Sequence, residues 1–279
     1  MSTVYKYCDN HGVDILQNLE LKITPANQFN DPFEFTPHVI CSDIKIEAKN
    51  LIEPQDASLF NEIYQREKAS GKFGGSLREF MEKCIASHGM QAILNMNTNL
   101  QSSNLDLMSA HVGVLCLSKE RNSIVMWGHY GDKHHGLVIG FDGSHAIFQV
   151  GAGLHPVNYV QEPVSWDTSW EMGGAQECKY LKTLPFSKNA EWKYEGELRQ
   201  IFPLDKCIPK PFKDKSSGKE GIGHFHPIPP EALVSVSLGA KCSPELEKKV
   251  QLVLQDKHLS HVKLDRARLH KSRFELTFE

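Results

Sequence analysis

Two glutamates one residue apart, Glu195 and Glu197, stand at the head of an apolar run, Leu198 to Phe202, that reads as a strand. Residues i and i+2 of a strand point to the same side, so the two carboxylates are expected to share a face. A carboxylate pair placed this way either opposes a developing positive charge and handles a proton, or pairs with the neighbouring Arg199 or Lys193. Other unusual polar residues lie far away in the chain: Tyr5-Lys6-Tyr7, Asn30-Asp31 between Phe29 and Phe33, Ser118, and Trp127-Gly128-His129-Tyr130. Dispersed residues make a site only if they converge, so Lys6, Asn30, Ser118, Tyr130, Glu195 and Glu197 are expected to line one cleft. Each also has a plainer role open to it. Lys6 would be a solvated strand lysine, Trp127 and Tyr130 would pack a helix face, and Ser118 would cap a helix.

Other chemistries find less support. His224 and His226 would share one face of a strand and His134-His135 are adjacent, but no Cys or third His has zinc spacing, so no metal is expected. Ser, His and Asp are plentiful, yet no G-x-S-x-G elbow is present, which argues against a hydrolase triad. Lys206, Lys210, Lys213, Lys215 and Lys219 would form a solubilising face or guide a polyanion. The seven cysteines are odd in number and include no C-x-x-C pair, as expected of reduced thiols, several of them buried.

The elements that must position these residues are those of one α+β domain, 1–279, with a mixed, split β-sheet core and flanking helices. Its composition, 40% hydrophobic and 23% charged, is that of a chain that folds around a core. The net charge of -3 excludes a histone-like basic coat, though not a local phosphate-binding groove. Strands are expected at 4–8 and 21–24 around a helix within 12–20, then at 112–118, 136–142, 198–202 and 232–238, and near 261–264 and 273–278. A helical insertion spans about 43–105. Within it, Ser76 and Glu79 form an S-x-x-E capping box before the stripe Leu77, Phe80, Met81, Cys84 and Ile85. Ser243-Pro244-Glu245 begins the last helix. The Pro- and Lys-rich stretch 203–230 reads as a long exposed loop. The first residues lack the apolar run of a signal peptide and no run reaches the ~20 apolar residues of a membrane span. A cytoplasmic protein without membrane partners is therefore expected.

Taken together, Y-K-Y at Tyr5, F-N-D-P-F at Phe29, W-x-H-Y at Trp127, G-F-D at Gly140 and Y-E-x-E-x-R at Tyr194 match one pattern. From about Tyr5 to about Phe278 the sequence resembles a bacterial family of uncharacterised domains. It is also similar, more distantly, to the NAD-dependent ADP-ribosyltransferases, whose split β-sheet surrounds a nicotinamide cleft. That resemblance places Lys6 where the superfamily has His or Arg on its first strand, Ser118 and Tyr130 in the middle position, and Glu197, with Glu195 completing E-x-E, on the later strand. It implies NAD as substrate and no metal. Tyr7 or Tyr130 would stack on nicotinamide, Lys6 would hold a diphosphate or ribose oxygen, and Asn30, Ser118, Trp127 and His129 would complete the binding site. Glu197 would favour the oxocarbenium-like ribosyl cation while Glu195 orients or deprotonates the acceptor. The activity so implied is ADP-ribosyl transfer to a nucleic acid or protein, in a toxin or antiphage effector restrained by an antitoxin protein. Two alternatives stand beside it: a non-catalytic nucleotide- or partner-binding module of a defence system, and a metal-independent nuclease.

Overall fold

The computed structural model describes residues 3–40, 56–77, 79–80, 83, 102, 105–151, 153–167, 169–171, 173–213 and 220–279. The chain forms two compact units, one made of residues 1–36, 105–164 and 181–279, the other of 37–104 and 165–180. In chain order the strands begin with β1 Thr3–Cys8, β2 Glu20–Pro25, β3 His38–Ile40, β4 Val112–Ser118 and β5 Leu137–Asp142. There follow β6 His155–Pro156, β7 Asn158–Val160, β8 Ser165–Asp167, β9 Ser187–Asn189 and β10 Glu197–Pro203. The last are β11 Ile208–Lys213, β12 Glu220–Pro227, β13 Leu233–Leu238, β14 Lys263–Leu269 and β15 Leu276–Phe278.

In the first unit, the described residues build one large mixed sheet in the order β11-β12-β2-β4-β1-β5-β13-β14-β15, with β10 on β4 and β6 on β10, and a separate parallel pair, β7 with β9. The runs that are apolar without alternation, β4 and β5, lie inside this sheet, as strands covered on both faces must. The β13–β14 pair is parallel, and the helix Pro244–Val253 makes the crossover between those strands. That helix starts as expected, with Ser243 Oγ accepting from the Leu246 amide at 3.2 Å, and it buries Leu246 and Val250. It packs beside the helix Val13–Asn18, and their apolar faces join Val4, Leu115, Ile139, Phe141 and Val236 in the main core.

The sheet opens at one place. One edge of β4 is paired along its whole length with β10, from Glu197 opposite Ser118 to Pro203 opposite Val112. The other edge is divided: Thr24 and Pro25 of β2 face Val114 and Gly113, and Tyr5 of β1 faces Ser118. Beyond that single bridge β1 follows β5 instead, from Thr3 opposite Asp142 to Cys8 opposite Leu137. Between the two contacts the edge of β4 has no strand beside it among the described residues, and the Lys6 ammonium supplies a donor there, bonding the Cys116 carbonyl at 3.1 Å.

The segment 203–230, expected as a loop, is largely a hairpin, β11 against β12, with Lys210 opposite Gly223 and Phe212 opposite Gly221. Its prolines misled the loop expectation because Pro209 and Pro211 occupy an edge strand at alternate positions, where a missing amide costs no ladder bond. The run Lys215-Ser216-Ser217-Gly218-Lys219 lies outside the described residues. At the end of the chain β14 is longer than expected and β15 shorter.

In the second unit, β3 pairs in parallel with β8 and the helix Asp56–Ala69 presents Tyr64 to Phe73 and Phe80, whose ring centroids lie 6.4 and 5.7 Å away. The capping box is formed: Glu79 Oε2 accepts from the Ser76 amide at 2.7 Å, and Ser76 Oγ accepts from the Glu79 amide at 3.2 Å. Met81, Cys84, Ile85 and much of the 43–105 insertion lie outside the described residues. No described helix is long and apolar enough to cross a membrane.

Candidate functional site

A cavity of about 460 Å³ lies where β1 leaves β4, a volume suited to a small ligand. Of the residues expected there, Lys6, Tyr7, Asn30, Ser118, His129, Tyr130, Glu195 and Glu197 line it, beside the aromatic rings of Tyr5 and Phe29. Trp127 does not. It is fully buried, donates Nε1 to the Arg121 carbonyl at 2.9 Å, and meets Tyr7 edge-on with centroids 5.5 Å apart. It therefore backs the cavity wall, as helix-face packing would have it, and holds Tyr7, whose hydroxyl donates to the Glu120 carbonyl at 2.7 Å. Tyr130 ends the short helix Ile124–His129, which is capped by Ser123, not Ser118.

The two glutamates do not share a strand. Glu195 ends a 3-10 helix, Ala190–Glu195, Gly196 turns left-handed with φ 52°, and Glu197 opens β10. The chain reverses there because glycine enters that conformation without steric cost. Ser118 fixes the turn, donating Oγ to the Glu195 carbonyl at 2.5 Å and accepting from the Glu120 amide at 3.0 Å. Gly196→Ala is expected to lower stability by about 1–2 kcal/mol through the left-handed strain alone. Its added Cβ would also stand 3.1 Å from Glu120 Cγ. Thermal unfolding that matched the wild type would show the turn to be indifferent to a side chain.

Despite the turn, both carboxylates reach one ammonium. Lys188 Nζ lies 2.6 Å from Glu195 Oε2 and 3.2 Å from Glu197 Oε2, and also 3.2 Å from Glu34 Oε1. Arg199 completes the cluster. It grips Glu197 through Nε at 2.8 Å and Nη2 at 3.0 Å, donates Nη1 to the Pro185 carbonyl at 2.8 Å, and pairs with Glu34. All five residues are buried, and with three carboxylates against two cations the fully ionised cluster carries one excess negative charge. The expected partner Arg199 is thus present, but in a buried ion pair; Lys193 is exposed.

Burial raises the Glu197 carboxyl, but Arg199 and Lys188 outweigh it and hold the group at about 2. Burial pushes Glu195 and Glu34 up, and their cationic neighbours offset this only in part. Burial works against charge on Lys188 and Arg199, yet the carboxylates around them raise both and keep them protonated. Because the folded-state value of Glu197 lies below its usual 4.5, its stabilisation is fully present above that pH and is lost as pH falls toward about 2. Acid titration of stability should therefore fall more steeply over this window in the wild type than in Glu197→Gln. Parallel curves would remove Glu197 as the cause.

A polar path links this cluster to solvent. Exposed Asn30 donates Nδ2 to the Tyr130 hydroxyl at 3.3 Å, and Tyr130 donates to Glu195 Oε1 at 2.7 Å. Burial, then the bond to Glu195, pushes the Tyr130 phenol up, so it acts as a neutral donor. At the rim, His129 Nδ1 lies 3.0 Å from the Tyr194 hydroxyl. Of the other histidines singled out, His134 stacks on Trp127 with centroids 6.1 Å apart, and His226 Nδ1 lies 2.9 Å from the Pro227 carbonyl. Among the described residues no group of three or more His, Cys, Asp or Glu is placed to hold a metal. Cys207 and Cys242 are buried free thiols, and Cys178 is exposed.

Residues 126–200 match a family model described as a protein of unknown function, DUF2971. The matched stretch runs from the helix that carries His129 through Lys188 and both cavity glutamates to Arg199. An uncharacterised domain family fits this match. No curated protein and no solved structure matches the chain. Glu34 and Lys188, central to the site, escaped the sequence reading, although each is a lone charge in an apolar setting, Phe33-Glu34-Phe35 and Leu184-Pro185-Phe186-Ser187-Lys188.

Proposed function

We propose that the cleft holds NAD and that the chain transfers its ADP-ribosyl group to a cellular macromolecule, with Glu195 as the carboxylate nearest the reacting ribose. The observation that carries this is the setting of Glu195: a buried carboxylate on an aromatic-walled cavity, held by Lys188 and a neutral phenol. When the bond from ribose to nicotinamide breaks, its electron pair leaves with nicotinamide and positive charge develops on the ribose. The Glu195 carboxylate opposes that charge, and a carboxylate fixed in place needs no reorganisation to do so. The acceptor then bonds to the ribose carbon and gives up its proton, for which Glu195 is the available base. Glu197, gripped on both oxygens by Arg199, is assigned to fixing the cluster, not to the ribose. Tyr5, Phe29 and Tyr130 offer faces for the nicotinamide ring, and Lys6 offers a charge to the diphosphate. The parting of β1 from β4 supports a split-sheet, ADP-ribosyltransferase-like cleft.

Incubating the chain with NAD labelled in its adenosine half and a cell lysate tests the proposal, followed by protease or nuclease digestion of labelled product. Label in protein or in nucleic acid is the expected result and identifies the acceptor class expected of a toxin or antiphage effector. NAD that binds but stays intact would overturn transfer and leave a nucleotide-binding module.

A further inference from the structure

A second cavity of about 400 Å³ opens between the helix Val13–Asn18, β2 and the β11–β12 hairpin. It meets the first at Lys6, which lines both. Phe212 and Phe225 give it an aromatic wall, with ring centroids 6.2 Å apart, and Lys22 Nζ stands 3.9 Å over the Phe212 ring. Three carboxylates also line it. Glu20 is neutralised by Lys210, which bonds both its oxygens at 2.6 Å, and Asp9 Oδ1 accepts from the His11 amide at 2.8 Å, while Asp14 lies on the exposed rim. Two aromatic-walled cavities thus share one lysine, Lys6, in their lining.

A ligand filling both chambers needs a planar ring at each end and negative charge in the middle. From this juxtaposition we infer that the second cavity is a subsite for the base-and-ribose half of a dinucleotide, whose diphosphate crosses Lys6. One ring then lies among Tyr5, Phe29 and Tyr130, and the other against Phe212 and Phe225. Stacking on phenylalanine selects any planar base, and Lys6 and Lys22 select phosphate on its sugar. The identity of the first ring as nicotinamide rests on the function proposed above; the second chamber takes the adenosine half.

Calorimetric titration of the full chain with AMP, nicotinamide mononucleotide and NAD separates the two halves. Lys22→Ala is expected to weaken AMP and NAD binding about fivefold to tenfold and to leave nicotinamide mononucleotide unchanged. Phe225→Leu should act in the same direction, and the lysine variant remains decisive if the phenylalanine variant fails to fold. Adenosine, which brings no second phosphate to Lys6, should still bind when nicotinamide mononucleotide is already present. AMP affinity unaffected by Lys22→Ala, adenosine displaced by nicotinamide mononucleotide, or no AMP binding at all would overturn the inference. If AMP and NAD bind in this pattern but NAD is never consumed, the second subsite stands and the transferase proposal falls.

Discussion

Glu195→Gln is expected, on the proposed transfer reaction, to lower NAD turnover about a hundredfold to a thousandfold while NAD still binds, because the substitution keeps the shape and removes the charge that would oppose the ribosyl cation. The carboxylate contributes where charge develops, so the loss should appear in kcat and leave KM little changed. In the variant the single amide oxygen can accept from Lys188 while the amide nitrogen donates to the Tyr130 hydroxyl oxygen, and with one buried carboxylate fewer the cluster should fold about as well as the wild type. Tyr130→Phe removes the hydrogen bond to Glu195 while keeping the ring, and should cost a smaller fraction of kcat. Single-turnover rates with NAD, taken beside thermal unfolding, read both effects. A Glu195→Gln protein that consumes NAD at the wild-type rate would take this residue out of the chemistry.

Arg199→Met should be the most destabilising single change in the site, by about 3–5 kcal/mol, since it leaves Glu34 and Glu197 buried with only Lys188 to neutralise them. A loss of that size is a large share of the stability of an ordinary domain, so denaturant unfolding should show a much lower midpoint. Arg199→Lys keeps a charge but cannot grip both Glu197 oxygens from a planar fork, and should lie between the two. A loss below about 1 kcal/mol for Arg199→Met would mean that the carboxylates find water or protons at little cost. The comparison also divides the site. Glu195 variants should change the reaction and spare the fold, whereas Arg199 variants should change the fold first.

Sequence patterns revealed what local residues determine. The apolar runs of β4, β5 and β13 and the Ser-Pro-Glu start of the last helix are local signals, and they appear where expected. Convergence on the cavity was legible because Tyr5-Lys6-Tyr7, Asn30, Ser118 and Tyr130 belong to, or stand beside, the motifs that carry the family resemblance. Three features were not legible. The charge of Glu34 is satisfied by Arg199, 165 positions away, and no local pattern announces a partner at that distance. The Glu195-Gly196-Glu197 motif was read as continuous strand, though its glycine was a usable turn signal. Proline in β11 was weighed as a loop former, when at the margin of a sheet it is tolerated.

That proline-bearing margin also bears on how the molecule behaves in company. A wide sheet risks growing by one more strand from a neighbouring copy, since an open edge displays amides and carbonyls ready to pair. Along β11, Pro209 and Pro211 remove the donors at alternate positions, and Lys210 between them belongs to an ion pair with Glu20. At the other margin β15 is only three residues long. Among the described residues these two borders of the large sheet are poor templates for a further strand, which disfavours its growth from copy to copy.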